Sequence, residues 1–109
     1  MTRSQQKAIK SANNTINDHL KESDISAAIE DMKGNPIEKP GGGYWNHAQE
    51  VKDAYPSLVR AKNTLEGSLK NPNLEPDVRS YIQGKYDEIC RYIERIEEIF
   101  KPYGGLLDD

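Results

Sequence analysis

The chain has 109 residues, of which 35% are hydrophobic and 30% charged, and its net charge is −3. That size makes one domain, or a domain cut from a longer chain, and so lean an apolar content favours striped helices over buried strands. The charge argues against a protein that coats duplex DNA, which is usually strongly basic, yet leaves room for an enzyme gripping a few phosphates. There is no run of about 18 apolar residues to span a membrane, and the polar N-terminus is no signal peptide. A single cysteine, Cys90, excludes an intrachain disulfide and a zinc-finger cluster.

In chain order, residues 3–20 read as a polar helix with Ile9, Ala12, Ile16 and Leu20 on a narrow stripe. Asn13, Asn14 and Asn17 are mediocre helix formers, so packing must hold it. Ser23 and Asp24 are good N-cap types, and Asp24 to Met32 reads as a short second helix with Ile25, Ala28, Ile29 and Met32 inward. Residues 34–43, GNPIEKPGGG, form an irregular connection. From about Tyr44 to Leu69, Val51, Tyr55, Leu58, Leu65 and Leu69 recur at helical spacing, with a kink or short break expected at Pro56. After a turn at Asn71-Pro72-Asn73, a last helix carries Val78, Ile82, Tyr86, Ile89, Ile93, Ile96 and Phe100. The short turn makes these two helices an antiparallel hairpin. Residues 101–109 end the chain, with Leu106 to Asp109 expected as a loose tail. The fold class is therefore all-α, a single domain of about four helices.

The rare residue types gather at one place, Gly41-Gly42-Gly43-Tyr44-Trp45-Asn46-His47-Ala48-Gln49-Glu50. With a helix starting near Gly43 or Tyr44, His47 and Glu50 share a face, and Trp45 and Asn46 lie in the first turn. The free N–H groups and positive dipole end there suit a phosphate oxygen, and the glycines allow close approach. Imidazole with carboxylate supplies proton transfer near neutral pH, and an indole stacks on a base. A plainer reading stands beside this one. Trp45 alone reads as a core anchor, His47 as a boundary residue, and Glu50 as a solvated charge. Asp24 is most simply an N-cap or first-turn acid, and His19 a favourable partner of a helix C-terminus. Tyr81, Tyr86 and Tyr92 read as core and rim, and Glu94, Glu97 and Glu98 with Arg91 and Arg95 as a solvated face.

Asp24-Ile25-Ser26-Ala27-Ala28, then Lys39-Pro40-Gly41-Gly42-Gly43-Tyr44-Trp45-Asn46-His47 and Glu50-Val51, resemble the polymorphic toxin type 28 family, as does Asn71-Pro72-Asn73-Leu74. These are C-terminal nuclease domains of bacterial contact-dependent inhibition and related toxins. The resemblance covers roughly residues 15–100. It implies a helical ribonuclease that cuts tRNA after delivery into a neighbouring cell, and a cognate immunity protein in the producer. The family's functional set, an Asp upstream of Trp-x-His-x-x-Glu, falls on Asp24, Trp45, His47 and Glu50. Some members end in a Gly-Tyr-Gly-Ile type tail that recruits a host cysteine synthase. This chain ends Gly104-Gly105-Leu106-Leu107-Asp108-Asp109, a departure that puts that host factor in doubt.

The expected chemistry needs no metal or cofactor. His47 serves as acid or base, Glu50 completes or orients the pair, and Asp24 tunes His47 or holds a ribose hydroxyl. Trp45 positions a base, with Tyr44 beside it against the substrate. Gly42 and Gly43 amides, with Lys39, stabilise phosphate charge. The alternative is a noncatalytic helical module whose glycine loop and Trp45 dock a partner.

Overall fold

The computed structural model describes residues 1–35, 38–44 and 46–106. Among them stand four helices: α1 (Arg3–His19), α2 (Glu22–Met32), α3 (His47–Leu69) and α4 (Pro76–Phe100), followed by a 3₁₀ turn at Lys101–Tyr103. The only extended pairing among these residues is an isolated antiparallel bridge between Glu38 and Tyr44. Among the described residues no helix is long and apolar enough to cross a membrane.

The domain is built around α3, which packs against α1, α2 and α4 at once. Its buried residues Val51, Ala54, Leu58, Ala61 and Leu65 step by three or four, so one stripe serves the common core. Ala54 and Ala61 keep the stripe shallow where neighbouring helices approach. Opposite it lie Ile9 and Ala12 of α1, Ala28 of α2, and Ile82, Ile89, Ile93, Ile96 and Phe100 of α4. The α4 stripe expected from the sequence is thus the buried one, with Val78 and Tyr86 at its margin.

Three contacts fix α3 and α4 as an antiparallel hairpin. Tyr55 donates to the Glu97 carboxylate at one end, and Tyr86 donates to Glu66 at 3.1 Å midway. At the turn, Arg79 donates to the Leu69 carbonyl at 2.8 Å. The turn is an Asx turn, in which Asn71 Oδ1 accepts the Asn73 N–H at 2.9 Å. A bidentate pair between Arg95 of α4 and Glu22, at 2.6 and 2.8 Å, ties down the start of α2.

Several local expectations need correction. The second helix begins at Glu22, and Asp24 is its third residue, with a carboxylate that reaches back to the Lys21 N–H at 3.1 Å. Of the two local readings of Asp24, N-cap or first-turn acid, the second holds: it is a first-turn acid and half of a capping box, not the cap. The third helix begins at His47, three residues later than expected, because Tyr44 is held in the bridge and Asn46 is the better N-cap. Pro56 lies on an exposed side of α3 and does not break it. Leu106 packs against the core instead of trailing free, while Leu107, Asp108 and Asp109 lie outside the described residues.

The hairpin contacts perturb two phenols. Burial, then the hydrogen bond to Glu97, pushes the Tyr55 hydroxyl up from 10.0 to about 12. Tyr86 also rises to about 12, chiefly through its bond to Glu66 and then through Cys90. A raised folded value means the contribution is complete below the unfolded value and is lost as pH climbs through the folded one. Thermal melts should therefore show stability falling between pH 10 and about 12, and Tyr55→Phe should flatten that decline.

Candidate active site

The start of α3 is held by two oxygens from outside the helix. Asn46 Oδ1 accepts the Gln49 N–H at 3.0 Å, as an N-cap should. Asp31, in the last turn of α2, accepts the Ala48 N–H through Oδ2 at 3.1 Å. Asp31 is half-buried, and its other oxygen, Oδ1, is buried with no hydrogen-bond partner among the described residues. A carboxylate placed there meets the positive end of the α3 dipole. Two of the N–H groups read as a phosphate seat at this helix start, those of Ala48 and Gln49, are thus already taken by protein oxygens.

His47 and Glu50 stand on this braced turn, three residues apart and on one side of α3. His47 is half-buried and Glu50 exposed. Glu50 lines an open hollow of about 300 Å³ between α1 and α3, with Thr15, His19, Asp53 and Ser57. The Gln49 side chain also donates to Asp53 at 2.8 Å, which holds that carboxylate on the same turn.

The glycine loop arrives from the other direction. The Glu38–Tyr44 bridge closes it, the Lys39 N–H donates to the Gly43 carbonyl at 2.9 Å, and the Gly42 N–H donates to the Lys39 carbonyl at 3.1 Å. Gly41, Gly42 and Gly43 have φ of 91, 112 and 79°, a run that residues with a Cβ strongly disfavour. Because the Gly42 amide is used inside the turn, it is not aimed outward at a ligand as the sequence suggested. Tyr44 is 61% exposed at the end of the bridge. Trp45, which the sequence marked as a site residue, lies outside the described residues.

His47, Glu50, Lys39, Gly43 and Tyr44 thus come from one continuous stretch, a bridged loop running into a helix start. Asp24 occupies a different level. It is half-buried, engaged with Lys21, and seven residues before Asp31, which is about 10 Å along the α2 axis. The sequence reading did not single out Asp31, the acid that reaches the α3 start, whereas His19 lies in the last turn of α1 as read. A signal for Asp31 existed: Asp24, Ala28 and Asp31 fall at i, i+4 and i+7, one face of α2, and Ala28 is fully buried. Among the described residues no three His, Cys, Asp or Glu side chains group closely enough to hold a metal ion.

Comparison with known proteins places the chain in a family. The family model described as bacterial toxin 28 matches residues 1–102. Over 104 residues, 95% of the chain, the sequence is 35% identical to a protein of Escherichia coli O6:K15:H31 (strain 536 / UPEC) named tRNA nuclease CdiA. The chain spans 3% of that protein's length. All four helices, the bridged glycine loop and the His47–Glu50 turn lie within the range matched by the family model, and the chain belongs to the bacterial toxin 28 family.

Proposed function

We propose that this chain is a toxin ribonuclease that cleaves tRNA through a metal-independent attack of a ribose 2′-hydroxyl on the adjacent phosphodiester. The observation that carries this reading is the placement of His47 and Glu50 together on a turn that Asn46 and Asp31 brace from outside. The similarity to a protein named as a tRNA nuclease supports the choice of substrate. As a toxin, the chain acts inside a target cell after delivery from a producer, and the producer survives through a cognate immunity protein that covers the site.

The chemistry requires two proton transfers. A base takes the proton of the 2′-hydroxyl, whose oxygen attacks phosphorus. The bond from phosphorus to the 5′-oxygen breaks, and an acid gives that oxygen its proton, leaving a 2′,3′-cyclic phosphate. His47 fits either role, since imidazole is the side chain that changes protonation near neutral pH. Glu50 is its partner on the same face. Lys39 and the Gly43 amide offset charge on the phosphate, while Trp45 and Tyr44 hold the flanking base. Asp24 contributes from α2, holding a ribose hydroxyl or tuning His47. Asp31 is a positioning residue that acts through the helix start on which His47 sits.

Positioned acid–base groups contribute about 10²–10⁴-fold, so His47→Ala should lower RNA cleavage by that order while leaving the thermal midpoint near that of the parent chain. The same assay should leave DNA intact, because DNA lacks the attacking hydroxyl; intact tRNA with the parent chain would instead favour a docking module. Chelation by EDTA should leave cleavage unchanged. A loss that added metal restores would sink the metal-independent reading. Asp31→Asn keeps an oxygen for the Ala48 N–H but removes the charge. It should shift the pH profile of cleavage with little change in stability, whereas Asp31→Ala should also lose about 1 kcal/mol of stability in denaturant titrations.

A further inference from the structure

The ribonuclease reading leaves open how an acidic chain holds a polyanion, and the charge distribution of α1 addresses this. Residues 1–17 contain Arg3, Lys7 and Lys10 and no carboxylate, in a chain with 18 Asp and Glu. Positions 3, 7 and 10 fall at i, i+4 and i+7, so the three cations share one face of α1. All three are exposed, and none forms a salt bridge among the described residues.

That face borders a groove. Beyond the hollow that Glu50 lines, a second open hollow of about 370 Å³ continues between α1 and α3, lined by Ser4, Lys7, Ser11, Ser57, Arg60 and Thr64. Ser57 belongs to both, so the two form one furrow. Between the levels of Glu50 and Thr64 it runs about 21 Å along α3. Its floor at the far end is small, with Ala8 and Ala61, and its walls carry hydroxyls and two cations. Arg60 donates to Ser57 at 3.2 Å, which holds the guanidinium over the furrow and leaves its other donors for a ligand. The carboxylates Glu50 and Asp53 are confined to the end nearest the candidate catalytic turn.

We infer that the α1–α3 furrow is the track for the sugar-phosphate backbone of the RNA substrate, with Lys7 and Arg60 each neutralising a phosphate and Arg3 and Lys10 flanking them. Hydroxyls and paired cations without base-reading pockets suit contacts to phosphate and ribose, which position a strand without reading its sequence. The inference rests on the ribonuclease reading but concerns binding, which is measured separately from cleavage.

The test uses the full chain with His47→Ala, so that bound tRNA survives, and follows affinity as salt rises. Each lost phosphate contact lowers the slope of log affinity against log salt by about 0.7–0.9. Adding Lys7→Gln and Arg60→Gln should therefore make the affinity loss between about 50 and about 200 mM salt roughly tenfold smaller than in the parent. The charge-keeping pair Lys7→Arg and Arg60→Lys should restore the slope. Arg91→Gln with Lys101→Gln, an equal loss of charge on the α4 side, should leave it unchanged. Both groove positions are at the surface, and circular dichroism on each single variant confirms that the fold survives. Equal slopes in the parent and the groove variant would overturn the inference, as would an equal drop in the α4 pair or no tRNA binding by the parent. Should unmutated protein cut tRNA while the slopes stay equal, the track alone fails; should it leave tRNA intact, the ribonuclease reading fails.

Discussion

The structure depends on α3 being shared by three neighbours. One stripe, Val51 to Leu65, faces α1, α2 and α4 together, so no pair of these helices has a core of its own. In a chain with 35% hydrophobic residues this economy is a necessity. A small domain buries a limited share of its surface, and splitting so few apolar side chains between separate contacts would leave each contact too weak to offset chain entropy. The same arrangement makes the start of α3 the place where loop, helix and helix meet.

What happens at that start follows from the free N–H groups of a helix end. They must be satisfied, and here a residue 17 positions away does part of it, since Asp31 takes the Ala48 N–H while Asn46 takes that of Gln49. The dipole end thereby receives its anion from the protein. A phosphate at this turn would not find the Ala48 and Gln49 N–H groups free, which leaves more of its charge to side chains and the glycine loop. Fixing the terminus in this way also fixes the orientation of His47 and Glu50, because side chains in the first turn inherit the pose of the backbone beneath them.

The helices were legible where the chain is periodic. The α4 stripe from Ile82 to Phe100 follows local rules and appears as read. Boundaries set by competition were not. Tyr44 reads as helix until the Glu38 bridge claims it, and Asp24 reads as a cap or a first-turn acid until Lys21 proves to hold the cap position. Pro56 reads as a kink or a short break, and α3 continues through it without a break, since packing on three sides outweighs one missing hydrogen bond. Helical spacing puts Asp31 on the face of α2 that carries buried Ala28, but its pairing with Ala48, 17 residues on, is set by the tertiary fold and has no local signature. His47 and Glu50 were visible because their spacing alone puts them together, while the resemblance alone drew Asp24 toward them.

The net charge of −3 conceals a partition that matters more than its value. Acids concentrate on α4 and around the first turns of α2 and α3, whereas the first 17 residues carry cations alone. Fields from exposed charges fade over about 10 Å at moderate salt, so an approaching polyanion responds to the nearest face and not to the sum. A strand meeting the α1 side finds cations alone, while one meeting α4 finds Glu94, Glu97 and Glu98 interleaved with Arg91 and Arg95. Orientation is then selected before any specific contact forms. The acidic end of the furrow, at Glu50 and Asp53, is where a phosphate would be held least tightly. In the proposed ribonuclease, a strand anchored through Lys7 and Arg60 but loosely held at its reacting end would favour turnover, because binding spent on the ground state at the scissile phosphate would deepen the well from which the reaction must climb.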